Sequence, residues 1–129
     1  YVKFVGAIYD NFKLAPWLIS SLVFVYPGNI GLSILHVYAF QLPLITHNNI
    51  ITHMPEIAAM KDEINGLLFK YNDSNDLAKK IDSLISCQNT RLRMRKAAFS
   101  TVSNKFSFKQ MISNTTDAIL KASDISLKK

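Results

Sequence analysis

Leu22-Val23-Phe24-Val25-Tyr26-Pro27-Gly28-Asn29-Ile30-Gly31-Leu32-Ser33-Ile34-Leu35-His36-Val37-Tyr38-Ala39-Phe40 is the stretch that decides the fold. Its first five residues are apolar without alternation, as in a strand buried on both faces. Pro27-Gly28-Asn29 interrupts the run as a turn. Ile30–Phe40 is apolar nearly all round, which predicts a helix pressed tightly against a sheet. A buried strand, a glycine turn and an apolar helix in that order make one unit of a parallel α/β domain.

The same alternation continues on both sides. Tyr1–Val5 reads as a strand ending at Gly6. Asp10–Ser20 reads as a helix, capped by Asp10 or beginning only near Pro16, where proline suits a first turn. Downstream, Leu42–Thr46 is a third strand, followed by the polar loop His47-Asn48-Asn49 and Ile50–His53. Pro55 opens a short helix through Lys61. Asn65-Gly66 is a turn before a fourth strand, Leu67–Phe69. From Ser74 the period is helical, with Leu77, Ile81, Leu84 and Ile85 on one face. Thr90–Lys105 and Ser107–Ala122 are two further helices, and Ser123–Lys129 is expected to fray. The fold class is therefore α/β: a mainly parallel sheet with helices on both faces and a helical C-terminal part. Four strands are few for a doubly wound sheet, which has about six. Residues 1–129 read as one domain that belongs to a larger one, with the first strands preceding Tyr1.

Composition agrees. The chain has 129 residues, 49% of them hydrophobic and 19% charged, which is globular rather than disordered. The single cysteine, Cys87, cannot form an internal disulfide. Leu14–Tyr26 is too short for a membrane span and is broken by Pro16 and the Ser20-Ser21 pair. Charge is uneven. Residues 1–87 hold six Lys/Arg against seven Asp/Glu, and residues 88–129 hold nine against two. A basic tail suits nucleic acid, anionic lipid or an acidic neighbour. Arg91, Arg93, Arg95 and Lys96 cluster, but no aromatic platform or recognition motif accompanies them, so nucleic acid is not expected as a partner.

In open α/β sheets, ligands lie beyond the carboxyl ends of the strands. Gly28 and Gly31 occupy such a place, where free N–H groups of a first helical turn favour a phosphate. Taken alone, two glycines are better read as a turn that needs only to bend. His36 lies one to two turns into the helix and has the donor and acceptor needed to hold a ribose hydroxyl. On an apolar helix, a hydrogen-bonded core histidine is the plainer alternative. His47 and His53, with Glu56 nearby, have no trusted ligand spacing, so no metal is expected.

Pro27 to Phe69 resembles the donor-site segment of glycosyltransferase family 4, whose pattern is approximately Pro-Ser-x-x-Glu-Gly-Phe-Gly-Leu-x-x-x-Glu-Ala-x-Ala-x-Gly-x-Pro-Val-Ile. Pro55-Glu56 and Asn65-Gly66-Leu67-Leu68-Phe69 resemble the segment that follows. Phe4-Val5-Gly6 resembles the upstream strand, and Phe106-Ser107-Phe108 the aromatic segment near the C-terminus. Aligning Leu42-Pro43-Leu44-Ile45 places the pattern's two glutamates at Gly28 and His36, and a usual glycine at Gln41.

The resemblance implies the C-terminal, donor-binding half of a GT-B fold, part of a doubly wound Rossmann-like domain. It implies transfer of a sugar from a nucleotide diphosphate with retention, without cofactor or obligatory metal. The acceptor would be a glycan or a lipid-linked molecule, bound through an N-terminal domain preceding Tyr1, in bacterial polysaccharide or cell-surface glycan assembly. Gly28, Asn29, Ile30, Gly31 and Leu32 would face the diphosphate and sugar, and His36 the ribose. Gly6, Ala7 and Ile8 would lie near the base, with Glu56 in support. The implied location is cytoplasmic, at the inner membrane face, where the basic C-terminal part suits contact with anionic lipid. A non-catalytic nucleotide-sugar-binding module is the alternative, since Gly28 lacks the carboxylate that contacts the sugar.

Overall fold

Adjacent residues Leu44 and Ile45 point to opposite faces of one strand and are both wholly buried, so the sheet is covered on both sides. The computed structural model describes residues 2–126. Its elements run α1 (Asn11–Ser20), β1 (Phe24–Val25), α2 (Ser33–Ala39), β2 (Leu44–His47) and β3 (Gly66–Phe69). Then follow α3 (Ser74–Ser86), α4 (Gln88–Lys105) and α5 (Phe108–Ser126), and 3-10 turns at Ile50–Thr52 and Pro55–Ala59 link β2 to β3. The described strands form one parallel sheet, β1-β2-β3, with Leu44 registered on Phe24 and Gly66.

Each face has its own core. Leu18, Ile30, Ile34, Val37, Tyr38, Leu42 and Leu44 pack on the α2 side. Ile45, Leu67, Phe69, Leu84 and Met94 pack on the side covered by α3 and α4. This division explains the unalternating apolar strands, since each side chain meets a helix whichever way it points. Each fully buried aliphatic side chain stabilises the fold by about 1.5–3 kcal/mol.

Local chemistry sets the helix ends. The Asp10 carboxylate accepts from the Phe12 N–H at 2.8 Å, so α1 starts at Asn11 and carries Pro16 internally. Asp73 caps α3 by accepting from Asn75 and Asp76 N–H. At the end of α2, Leu42 N–H donates to the Val37 carbonyl and Gln41 N–H to that of Tyr38. This is a Schellman closure, and it puts Gln41 in the left-handed region at φ 58°.

Between α2 and α4 lies a closed polar network. Asn65 is wholly buried. Its Oδ1 accepts from the Tyr38 hydroxyl and Lys61 N–H, and its Nδ2 donates to the Ala59 carbonyl and Thr101 Oγ1. Burial pushes the Tyr38 phenol far above its ordinary range, so it remains a donor.

Three expectations need correction. Residues 2–10 form no strand, and Val2, Phe4 and Tyr9 are exposed; Tyr1 lies outside the described residues. A strand needs a hydrogen-bonding neighbour, and among the described residues this segment has none. α2 begins at Ser33 rather than Ile30, because the Ile30 main chain is bonded elsewhere, as described below. At the other end, Ser123–Ser126 continue α5 instead of fraying, and residues 127–129 lie outside the described ones.

Candidate functional site

β1 and β2 end side by side, and the turn after β1 crosses over the end of β2. Pro27, Gly28 and Asn29 are exposed there, whereas Ile30 is fully buried and anchors the turn to the core. Two bonds fix Ile30: its N–H donates to His53 Nδ1 at 3.0 Å, and its carbonyl accepts from Met54 N–H at 3.0 Å. The chain therefore crosses the sheet end in an extended turn before the helix can start. Within the turn, the N–H groups of Gly31, Leu32 and Ser33 donate no hydrogen bond among the described residues.

Beneath the turn lies a pair of histidines. The His47 and His53 rings stack with centroids 4.0 Å apart and planes 19° apart. His53 accepts through Nδ1, so its proton sits on Nε2, which donates to the His47 carbonyl at 2.9 Å. His47 Nε2 pairs with Asn29 Oδ1 at 3.3 Å, while its buried Nδ1 has no hydrogen-bond partner by distance and angle among the described residues. Phe69 and Tyr71 meet the His47 ring edge-on. Burial lowers the His47 pKa below its ordinary 6.5, and the neighbouring His53 lowers it further; the Gly28 backbone offsets part of this. Both rings thus serve as hydrogen-bonding pieces of the turn. No group of three or more metal-ligating side chains is present among the described residues.

The turn's other wall is Pro55–Ala59. A Cβ on Gly31 would lie 3.1 Å from Met54 Cγ and 3.8 Å from Glu56 Oε2. Gly31 is there because Met54 approaches so closely, and the Glu56 carboxylate stands beside it. Gly28 differs: its φ is ordinary, and a Cβ would only touch Tyr26 Cε1 at 3.5 Å. His36 is exposed one turn into α2, its ring tilted against Phe40 at 5.5 Å, and is not a core histidine. The structure thus gathers Gly28, Asn29, Ile30, Gly31 and Glu56 at one sheet end, with Leu32 71% exposed beside them. Gly6, at φ 70°, Ala7 and Ile8 lie in the irregular N-terminal segment. Ala7 and Ile8 line a separate cleft of about 480 Å³ with Tyr9, Asp10, Lys13 and Trp17.

The model of the family described as "Glycosyl transferases group 1" matches residues 1–101. The chain belongs to that family. A search of the curated proteins finds no match. Among solved structures, the chain is similar to the C-terminal domain of a glycosyl transferase group 1 family protein, LpcC, from Francisella tularensis. The identity is 25% and the TM-score 0.67, over 81% of this chain and 53% of that one. Sucrose-phosphate synthase from Thermosynechococcus elongatus shares the fold at TM-score 0.74 and 23% identity, over 94% of this chain and 30% of that one. A glycosyltransferase from Rickettsia africae does so at TM-score 0.70 and 22% identity, over 90% and 30% respectively. The chain spans about half of the first structure's length and under a third of the other two.

In this group 1 glycosyltransferase chain, the basic cluster divides. Arg91 Nη1 donates to the Leu84 and Ile85 carbonyls, closing the end of α3, and Arg95 Nη1 reaches the Ser21 carbonyl at 3.4 Å. Arg93 and Lys96 are exposed. Half of the clustered charge is therefore committed to helix ends. No described helix is long and apolar enough to cross a membrane. Sequence reasoning missed the role of His53: its two partners, Ile30 and His47, are local to it only in space.

Proposed function

We propose that the chain is the donor-binding part of a retaining glycosyltransferase that uses a nucleotide-diphosphate sugar. The observation that supports this reading is the pinned turn, whose Gly31, Leu32 and Ser33 N–H groups, beyond the sheet's carboxyl end, donate to no acceptor among the described residues. Such groups suit the oxygens of a diphosphate and stabilise the charge that grows on it as the sugar leaves. In this reading His36, exposed on α2, holds a ribose hydroxyl, and the Glu56 carboxylate beside Gly31 accepts from a sugar hydroxyl. No cofactor enters this reading. The acceptor, a glycan or lipid-linked molecule of cell-surface polysaccharide synthesis, binds through a further domain, so these residues alone bind donor without turnover. Work at the cytoplasmic membrane face, with Arg93 and Lys96 toward anionic lipid, belongs to the same proposal.

A second reading, a nucleotide-sugar-binding module without catalysis, is favoured by one feature: exposed Gly28 carries no carboxylate toward the sugar. Titration with UDP, GDP and ADP, followed by amide NMR shifts, tests donor binding. Shifts confined to Gly28–His36 are expected, and the preferred base narrows the donor. Shifts elsewhere, or none with any nucleotide, refute it. Sugar transfer by these residues alone would contradict the division of labour proposed here.

A further inference from the structure

His53 is the only side chain that joins the donor turn to the strand beneath it through two main-chain bonds, among the described residues. Its ring takes the Ile30 N–H on Nδ1 and gives its own proton to the His47 carbonyl from Nε2. It is 9% exposed, and its face is covered by His47, itself wholly buried. Met54, next in sequence, adds a main-chain bond to the Ile30 carbonyl and packs against Gly31. The Ile30 N–H belongs to the Asn29–Ile30 peptide and the Gly31 N–H to the next one, whose carbonyl Met54 holds, so losing the His53 bond would let Ile30 move and re-aim the Gly31, Leu32 and Ser33 amides through it.

We propose that His53 is a positioning residue whose neutral imidazole holds the Ile30–Ser33 amides in their ligand-facing arrangement, and whose protonation releases them. An imidazolium has a proton on both nitrogens and accepts nothing, so Nδ1–H would oppose the Ile30 N–H. It would also stand 4.0 Å from the stacked His47 ring, which is itself poorly able to accept charge. The titratable neighbours are His47 from β2, stacked on His53, and Tyr71 beyond β3, edge-on to His47; Glu56 of the Pro55–Ala59 turn stands beside Gly31. The Glu56 carboxylate flanks Gly31 and has no hydrogen bond to either ring among the described residues. The consequence for affinity rests on the donor-site reading above; the pin itself does not.

The test follows amide and imidazole NMR signals of the chain from about pH 8 to about pH 5, the range in which imidazoles titrate. It uses the wild type, His53→Asn and His53→Leu, first without ligand and then with UDP, GDP and ADP. Asn keeps an acceptor near the position of Nδ1 and does not titrate, whereas Leu keeps the volume and loses both bonds. In the wild type, the Ile30–Ser33 amides are expected to shift together with the His53 ring as pH falls, and in His53→Asn to stay fixed. His53→Leu is expected to show the displaced amides at every pH. Nucleotide affinity should fall roughly tenfold on losing the pin, in His53→Leu or in acid wild type, and be recovered in His53→Asn at neutral pH. Turn amides that ignore the His53 titration, or that titrate equally in His53→Asn, would overturn the proposal even if nucleotide binds. A turn that follows His53 while no nucleotide binds at any pH would sink the donor-site reading and leave the pin standing. Thermal unfolding of each variant separates a loosened turn from a lost fold.

Discussion

Gln41→Gly is expected to make the protein more stable, and the size of the gain follows from one dihedral angle. Gln41 holds φ 58° because the Schellman closure of α2 requires a left-handed residue between Phe40 and Leu42. An L-residue pays about 1–2 kcal/mol for that conformation, which glycine adopts freely. Glycine's more flexible unfolded chain takes back about 0.5–1 kcal/mol. The Gln41 side chain is exposed and makes no hydrogen bond among the described residues, so nothing else is lost. The net is a stabilisation of about 0.5–1 kcal/mol, read as a rise of about 0.3–0.5 M in the urea midpoint at unchanged slope. Gln41→Asn should fall between the two, because asparagine tolerates the left-handed region, and Gln41→Val should lower the midpoint. An unchanged or lower midpoint for Gln41→Gly, with Gln41→Val no worse than wild type, would refute the capping argument.

The remaining predictions concern the turn, the network and the histidines. Gly28→Ala should change stability by no more than about 0.5 kcal/mol, whereas Gly31→Ala should cost about 1 kcal/mol against Met54, both from urea unfolding. Gly66→Ala should cost about 3 kcal/mol or prevent folding, since its methyl would collide with the Leu44 carbonyl and with Met60 Cε at 2.9 Å. Asn65→Ala should cost about 2–4 kcal/mol, because it leaves the Lys61 N–H without its acceptor and the Tyr38 hydroxyl with only the weak acceptor Met60 Sδ. The depressed pKa of His47 means the unfolded chain takes up a proton that the folded chain refuses. Stability is therefore complete above about pH 6.5 and declines below it, down to the pH at which buried His47 titrates. Urea midpoints across that range should show the slope, and His47→Leu should flatten it.

Much of the fold is legible because apolar runs that do not alternate have one physical meaning: a strand with helices on both faces. Leu44 and Ile45 bear that out residue by residue, as does the Asp10 cap, whose side chain needs only a neighbour two positions on. What escapes the sequence depends on partners far along the chain. The start of α2 is set by the Ile30 carbonyl, which accepts from Met54 N–H instead of from Ile34, so helical periodicity runs three residues too far. Val2–Val5 has strand-forming residues but no strand to pair with among the described residues. His47 and His53 show only a spacing that fits no metal motif; stacking and main-chain bonding are properties of the folded turn. Gln41 looks like a mild replacement in sequence, and only the angle reveals it as the strained residue of a cap.

The two glycines of the turn, indistinguishable as letters, have different reasons to be there. Gly31 is favoured by packing: a Cβ there would lie 3.1 Å from Met54 Cγ and 3.2 Å from Met54 Cβ, and the Met54 main chain is tied to Ile30. Gly28 is not demanded. Its backbone is ordinary, its surroundings open, and it precedes the pinned residue rather than being pinned itself. A side chain at position 28 is therefore not excluded by how this turn folds, and the main-chain pin at Ile30 does not depend on one. The main chain of the turn and the side chain at position 28 can therefore vary separately, because the first is fixed by Ile30, His53 and Met54 and the second by none of them.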